Sequence, residues 1–184
     1  MAAAGERRGS VLVSEVRIVD AAFLDSLTEQ ACEADRGRRN FNFHASTAES
    51  CNRLLNAVEP GSYIRPHRHL DPGKDETFVV LRGRFGFLAF DETGGINLCA
   101  LLDARSDRHV VNVPHGIYHT LVALTPGSIF FEAKAGPFVP LGEAELAPWA
   151  PAEKSEAATA YLASLERLFD DGADVTRSAI ARSD

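Results

Sequence analysis

No stretch of this 184-residue sequence approaches the roughly 18 consecutive apolar residues that a membrane-spanning helix needs. The opening "MAAAGERRGS" has arginines but no apolar run behind them, so it does not read as a secretory signal. Cysteine is scarce: Cys32, Cys51 and Cys99 are odd in number and lack CxxC spacing, which argues against a disulfide framework and leaves reduced thiols as the expectation. Basic residues are outnumbered, 19 Lys+Arg against 26 Asp+Glu, for a formal charge of −7. That balance disfavours a nucleic-acid backbone as partner, since phosphate binding needs a basic face. A cytoplasmic protein with a small-molecule ligand, no nucleic acid and no membrane is the expectation. A local basic pocket for an anion stays open.

Hydrophobic residues make up 45% of the chain, enough for one sizeable core. "VLVSEVRIVD" (residues 11–20) is β-branched and partly alternating, which favours a strand. Phe23, Leu24, Leu27 and Ala31 then recur at helical spacing ahead of Gly37, so a helix is expected over 21–36. "CNRLLNA" reads as a short apolar patch before the Pro60-Gly61 turn. From there "TFVVLRG", "RFGFLAF", "INLCALLD", "HVVNVP", "HTLVAL" and "SIFFEAK" follow one another, separated by Gly, Pro and Asp. That rhythm predicts an all-β sandwich or barrel over 60–140. Residues 1–59 lead into it with a strand and a helix, and residues 141–184 supply a proline-rich extended connector and a helix over 155–169. Ala158, Tyr161, Leu165, Leu168 and Phe169 form the apolar stripe of that helix, which serves either as a lid on the domain or as a dimer contact.

The chemistry concentrates in "GSYIRPHRHLDPGKDETFVVLRG" (residues 61–83). Alternate side chains of a strand share a face, so Tyr63, Arg65, His67 and His69 are expected to point one way. Two imidazoles at i and i+2 can meet one ion, a returning strand brings Glu76, and "VPHGIYHTL" brings His119 facing inward with Leu121. Three imidazoles and one carboxylate suit one divalent transition metal, Fe, Mn, Zn or Ni, with positions left open for water or substrate. A His-x-His pair alone is weak, because histidines are common on exposed strands. His109 and His115 have the wrong parity or sit in the turn, and are left out.

The spacing Gly61, His67-x-His69, Glu76, Gly83 resembles the first motif of the cupin superfamily, and Pro114-x-Gly116-x-x-His119 resembles the second. The turn between His69 and Glu76 is longer than the superfamily's usual one, Arg108 stands for a glycine, and Ala123 stands where asparagine is frequent. "NFNFH", "CNRLLNAVEPGSYIRPHRH", "ETFVVLRGRFGFLAFDETG", "FFEAKAGPF" and "APWAPAE" extend the resemblance to the WbuC-type cupin-fold metalloproteins over most of residues 20–153. The resemblance implies a mainly β fold, a single cupin barrel (double-stranded β-helix or jelly roll) flanked by N- and C-terminal helices, with a metal inside and a homodimeric assembly. It also implies a place near O-antigen and other polysaccharide genes.

Glu76, Tyr63 and Arg65 are the catalytic candidates. A buried arginine needs an anion, and a substrate carboxylate or phosphate competes with Glu76 or Glu132 for that role. Asn42, His44, Asn52, Arg53 and Asn56 are either a pocket rim or ordinary capping residues, Lys74 and Lys134 add charge at the mouth or are solvated, and Trp149 anchors the connector. Two functions compete. One is a metal-dependent isomerase, epimerase or oxygenase acting on a small polar, sugar-derived or anionic molecule. The other is a non-catalytic module that binds a metal and a carbohydrate. A metal-free epimerase using tyrosine ranks last, since it leaves the histidines without purpose.

Overall fold

Asp20 accepts a hydrogen bond from the Phe23 N–H at 2.9 Å and so caps α1 (Ala21–Glu33) in the computed structural model, which describes residues 16–170. The helix ends three residues short of the expected limit, and Gly37, at φ 61°, turns the chain into β1 (Arg38–Asn42). The strand expected over 11–20 is corrected where it can be read: residues 11–15 lie outside the described residues, and residues 16–20 form no strand. Val16 and Ile18 are 95% and 84% exposed, because no strand edge pairs with them and the Asp20 cap commits the chain to a helix.

Seven more strands follow: β2 (Cys51–Val58), β3 (Glu76–Arg82), β4 (Arg84–Phe90), β5 (Ile96–Asp103), β6 (Val110–Val113), β7 (Tyr118–Ala123) and β8 (Ser128–Ala135). They build a five-stranded sheet, ordered β1-β2-β8-β3-β6, and a three-stranded sheet, ordered β5-β4-β7, with every pairing antiparallel. The fold is mainly β, two sheets face to face in the manner of a jelly roll, with a helix on each side. The strand region begins earlier than residue 60. "CNRLLNA" belongs to β2, which pairs along its whole length with β8. Its alternation was masked because one face carries Leu55 and Ala57 while the other carries Asn52 and Asn56.

The core is layered. Phe78, Val80, Phe85, Phe87, Leu121 and Phe130 meet between the sheets. Leu27 and Ala31 of α1 pack on Leu55, Ala57 and Ile129 behind the larger sheet. Behind the smaller sheet, α2 (Glu156–Glu166) and the 3₁₀ turn Arg167–Phe169 bury Ala158, Leu162, Leu165 and Phe169 against Leu88, Phe90 and Val122. This is the covering role expected of the helix, with one change to the stripe. Leu168 is 37% exposed and Leu162 is buried, because the buried residues Ala158, Leu162, Leu165 and Phe169 recur at α-helical spacing and Leu168 falls beside that stripe. Trp149 anchors the connector as expected, its ring 4.9 Å from Phe90 and 6.1 Å from Tyr118.

Two glycines permit this packing. Gly83, at φ 74°, passes the chain from one sheet to the other, and a Cβ there would overlap Ser128. Gly86 lies directly under the Phe169 ring, which occupies the place of its absent side chain.

Candidate metal centre

The segment carrying His67 and His69 is extended but is not a regular strand, which corrects the expectation for residues 63–69. Pro66 offers no N–H, so a continuous ladder cannot form there. What remains are two isolated antiparallel bridges, to His119 and to Leu146: His67 and His119 exchange backbone hydrogen bonds of 3.1 and 2.9 Å. The connector locks the other side, with Ala147 N–H donating to Pro66 O at 3.0 Å and Arg68 N–H to Glu145 O at 2.9 Å.

This frame brings His67, His69 and Glu76 of the expected ligand set into one cluster and sets His119 against Glu76 and His67. Donor atoms of His67, His69 and Glu76 lie within 4.8 Å of one another, a cluster able to bind a metal ion. Nε2 of His69 lies 3.0 Å from Glu76 Oε1, and Nε2 of His119 lies 2.9 Å from Glu76 Oε2. The His67 and His119 rings are 4.8 Å apart between centroids. The long Leu70–Asp75 turn does not displace Glu76. Asp71 closes the turn on itself, and Asp75 Oδ1 accepts from the His115 N–H at 2.9 Å, leaving Glu76 as the first residue of β3 opposite Lys134 and Val113. His115 is thereby held against Asp75 and His109 is exposed, in keeping with their exclusion.

The tautomers follow from the partners. His67 Nδ1 is 3.0 Å from Arg65 O and His119 Nδ1 is 2.9 Å from Ile117 O. A carbonyl only accepts, so each Nδ1 carries the proton and each neutral ring presents its Nε2 lone pair. Nε2 of His69, Nε2 of His119 and Glu76 Oε2 are buried and make no hydrogen bond despite their proximity. Acceptors facing acceptors at about 3 Å repel unless a cation lies among them. The donor set therefore fits a divalent ion of borderline character.

Charge around the cluster is ordered. Lys134 Nζ bridges Glu76 Oε1 at 2.9 Å and Glu132 Oε1 at 2.7 Å, and Asn56 Nδ2 donates to Glu132 Oε2 at 2.9 Å. Burial pushes the Glu76 carboxyl up, and the Lys134 ammonium 2.9 Å away draws it down, below the usual carboxylate range. Burial pushes Lys134 down, and Glu132 and Glu76 reverse this, so the ammonium is held above its ordinary value. Burial, reinforced by His119, lowers His67 to about 3. Lys134 is thus part of the site and not a solvated lysine, while Lys74 stays in the surface turn.

A cavity of about 340 Å³ opens in front of the cluster, and Arg65, Phe78, Phe130 and Leu146 help to line it. Arg65 pairs with neither Glu76 nor Glu132. Its Nη2 donates to Ala147 O at 2.8 Å, and its Nε is buried without a partner. Tyr63 is not brought to the site. It packs in the cluster under α2, its hydroxyl donates to Pro151 O at 3.0 Å, and its ring meets the edge of Tyr161. Outside a regular strand, alternation did not fix its direction. Arg53 faces outward to Glu49. Asn42, His44 and Asn52 line a second cavity beside the first and cap no helix. Glu145 was not foreseen: its Oε1 lies 3.8 Å from His69 Nδ1, and no sequence signal distinguishes it from other connector acids.

A family described as a domain of unknown function (DUF6016) matches residues 19–102, from α1 through most of β5. No curated protein matches the chain. Among solved structures, KdgF from Halomonas sp. is 19% identical with a TM-score of 0.45, covering 57% of this chain and 84% of that one. A cupin superfamily protein from Desulfitobacterium hafniense is 12% identical with a TM-score of 0.43, covering 53% and 76%. Oxalate decarboxylase from Bacillus subtilis is 17% identical with a TM-score of 0.42, covering 59% of this chain but only 26% of its own length.

Proposed function

We propose that this chain is a metalloprotein of the WbuC type in which His67, His69, His119 and Glu76 hold one divalent transition ion. The observation that supports this most strongly is the set of buried, unbonded acceptor atoms converging from three separate segments. When bound, such an ion supplies Lewis-acid polarisation of a carbonyl or hydroxyl, or a site for water or dioxygen.

The protein's own residues suggest the ligand. In the cavity wall Glu76 and Glu132 are balanced by Lys134 and Arg65, and Arg38 is balanced by Glu153 at 2.7 Å. A divalent ion would then add two unopposed positive charges beside an arginine with a free donor. A small anionic molecule, such as a sugar-derived acid, fits that field, with Arg65 orienting its carboxylate and Phe78 and Leu146 limiting water. Isomerisation, epimerisation and oxygenation are the reaction classes in view. A setting in the cytoplasm, a link to polysaccharide metabolism and a homodimeric assembly belong to the same reading. Among the described residues, no helix is long and apolar enough to cross a membrane.

The alternative, a non-catalytic metal- and carbohydrate-binding module, draws on Tyr63 being turned away. Without it, the charged donors lining the cavity beside the ligand set are Arg38, Arg65 and Lys134, and Lys134 is held as an ammonium. Elemental analysis of protein purified without a metal-affinity tag tests the centre. The wild type should carry about one ion per chain. The His67→Ala, His69→Ala double variant should stay folded and lose it, and full occupancy in that variant refutes the centre. Steady turnover of a hydroxy or keto acid separates the enzyme from the binding module.

A further inference from the structure

Asn52 is 2% exposed, and neither the nitrogen nor the oxygen of its carboxamide has a hydrogen-bond partner. A buried amide with its whole donor and acceptor capacity unused calls for an explanation, since nearly all buried polar groups are paired. Asn52 lines a cavity of about 370 Å³ that is separate from the one before the metal cluster, and Glu132, Lys134 and Phe138 belong to the walls of both. That volume falls within the range of small-molecule sites, roughly 300–1,000 Å³.

Strand register ties the two cavities together. Asn52 stands opposite Lys134, and Lys134 stands opposite Glu76, so one row crosses β2, β8 and β3 from the amide to the metal ligand. At two strand spacings of about 4.8 Å, the row measures about 10 Å. On the same face lie Asn40 and Asn42, bonded to each other at 2.8 Å and each retaining further capacity. Phe138 and Leu54 supply flat apolar surface to the same cavity.

We propose that this cavity is a second subsite, in which Asn52 binds the uncharged polyhydroxylated part of a ligand whose anionic end lies at the metal centre. The inference rests on the metal-centre reading for the anionic end only. Carboxamides present a donor and an acceptor side by side, as vicinal hydroxyls do, and the lining offers no unpaired charge for a second ionic group. Alternating polar edges and an apolar wall match the hydroxyl and C–H faces of a sugar-like chain or ring. Asn52 determines specificity and is not a catalytic residue.

The test uses the full chain loaded with Mn(II), titrated calorimetrically with D-gluconate, which carries a carboxylate and a row of hydroxyls, and with glycolate, which has the carboxylate and one hydroxyl. Gluconate should bind the wild type more tightly than glycolate. Asn52→Leu, of the same branching, and Asn52→Ala should each weaken gluconate about tenfold and leave glycolate unchanged. The metal-free Asn52→Leu chain should melt no lower than the wild type, because the amide makes no bond within the protein. The subsite is overturned if gluconate gains nothing over glycolate, if the variants affect both acids equally or neither, or if Asn52→Leu melts markedly lower, as a water-bonded structural amide would require. In each of those cases glycolate binding by the Mn(II)-loaded wild type leaves the metal centre standing. Failure to retain Mn(II) together with loss of glycolate binding overturns the metal centre itself.

Discussion

Replacing Lys134 with methionine probes the proposed metal centre through a residue outside its ligand set. The ammonium is the shared partner of Glu76, which is 2% exposed, and Glu132, which is 8% exposed. In the metal-free chain its removal leaves two neighbouring carboxylates uncompensated, with the Asn56 amide, which donates to Glu132, as the remaining neutral donor among the described residues. Breaking a buried pair from one side costs about 3–5 kcal/mol, and the 17% exposure of the Lys134 side chain to the cavity argues for the lower end, about 3 kcal/mol. For a domain of this size that corresponds to a fall of roughly 6–12 °C in melting temperature. A bound divalent ion would take over the Glu76 charge, leaving only Glu132 short of a partner. The drop should therefore shrink to less than half when the melts are repeated with Mn(II) in place of a chelator. Equal drops in both conditions, or no drop in the metal-free chain, would refute the reasoning that Glu76 serves lysine and metal together.

Other outcomes follow from the same geometry. Ion retention measured by equilibrium dialysis should fall as pH drops below about 6, because the imidazoles must be neutral to coordinate. In the metal-free chain, His67 held neutral down to about 3 means that the unfolded state takes up its proton first; stability should fall as pH drops from about 6.5, not rise. The depressed Glu76 acts in the same direction at lower pH, its contribution present above the ordinary carboxylate range and lost below it. Gly86→Ala should cost about 1–3 kcal/mol in urea melts, since its Cβ meets the Phe169 ring. Combining Gly86→Ala with Phe169→Ala should cost less than the sum, and strict additivity would place the strain elsewhere.

The six strands from Glu76 onward were legible because their inner faces carry Phe, Val and Leu at period two between Gly and Pro breaks. The histidines and Glu76 were legible through their spacing. β1 and β2 were not, because the face towards the site carries Arg38, Asn40, Asn42, Asn52 and Asn56 while Phe41, Leu55 and Ala57 lie on the opposite face under α1, so the apolar residues do not mark the inner face. Tyr63 was misplaced for a related reason. Parity rules hold only where a ladder enforces them, and Pro66 interrupts the ladder between Tyr63 and His67. Glu132 and Lys134 left a readable trace, two charges at inward parity in "SIFFEAK", but their pairing with Glu76 depends on a strand register that only the fold supplies.

That register also explains why so much polarity is tolerated on the inner face of the larger sheet. Reading inward positions along β3, β8 and β2, Val80, Phe130 and Val58 lie towards one end, and Glu76, Lys134 and Asn52 towards the other. The three antiparallel strands are thus phased so that Glu76, Lys134 and Asn52 fall in one row, with Glu132 opposite Leu54 and Phe78 in the next row and Asn56 opposite Phe130 in the row after that. The apolar end is sealed by Phe85, Phe87 and Leu121 of the three-stranded sheet. A sheet of three strands does not cover one of five, and Asn40 and Asn42 at the β1 edge are exposed. Between sealed core and open edge lies a graded strip, from the proposed metal ligand Glu76 through a lysine bridge to an unpaired amide. A structural ion alone would need only the first of these. The continuation of the row to Asn52, where an apolar side chain would stabilise the fold as well or better, argues that the face is shaped for a ligand extending away from the metal.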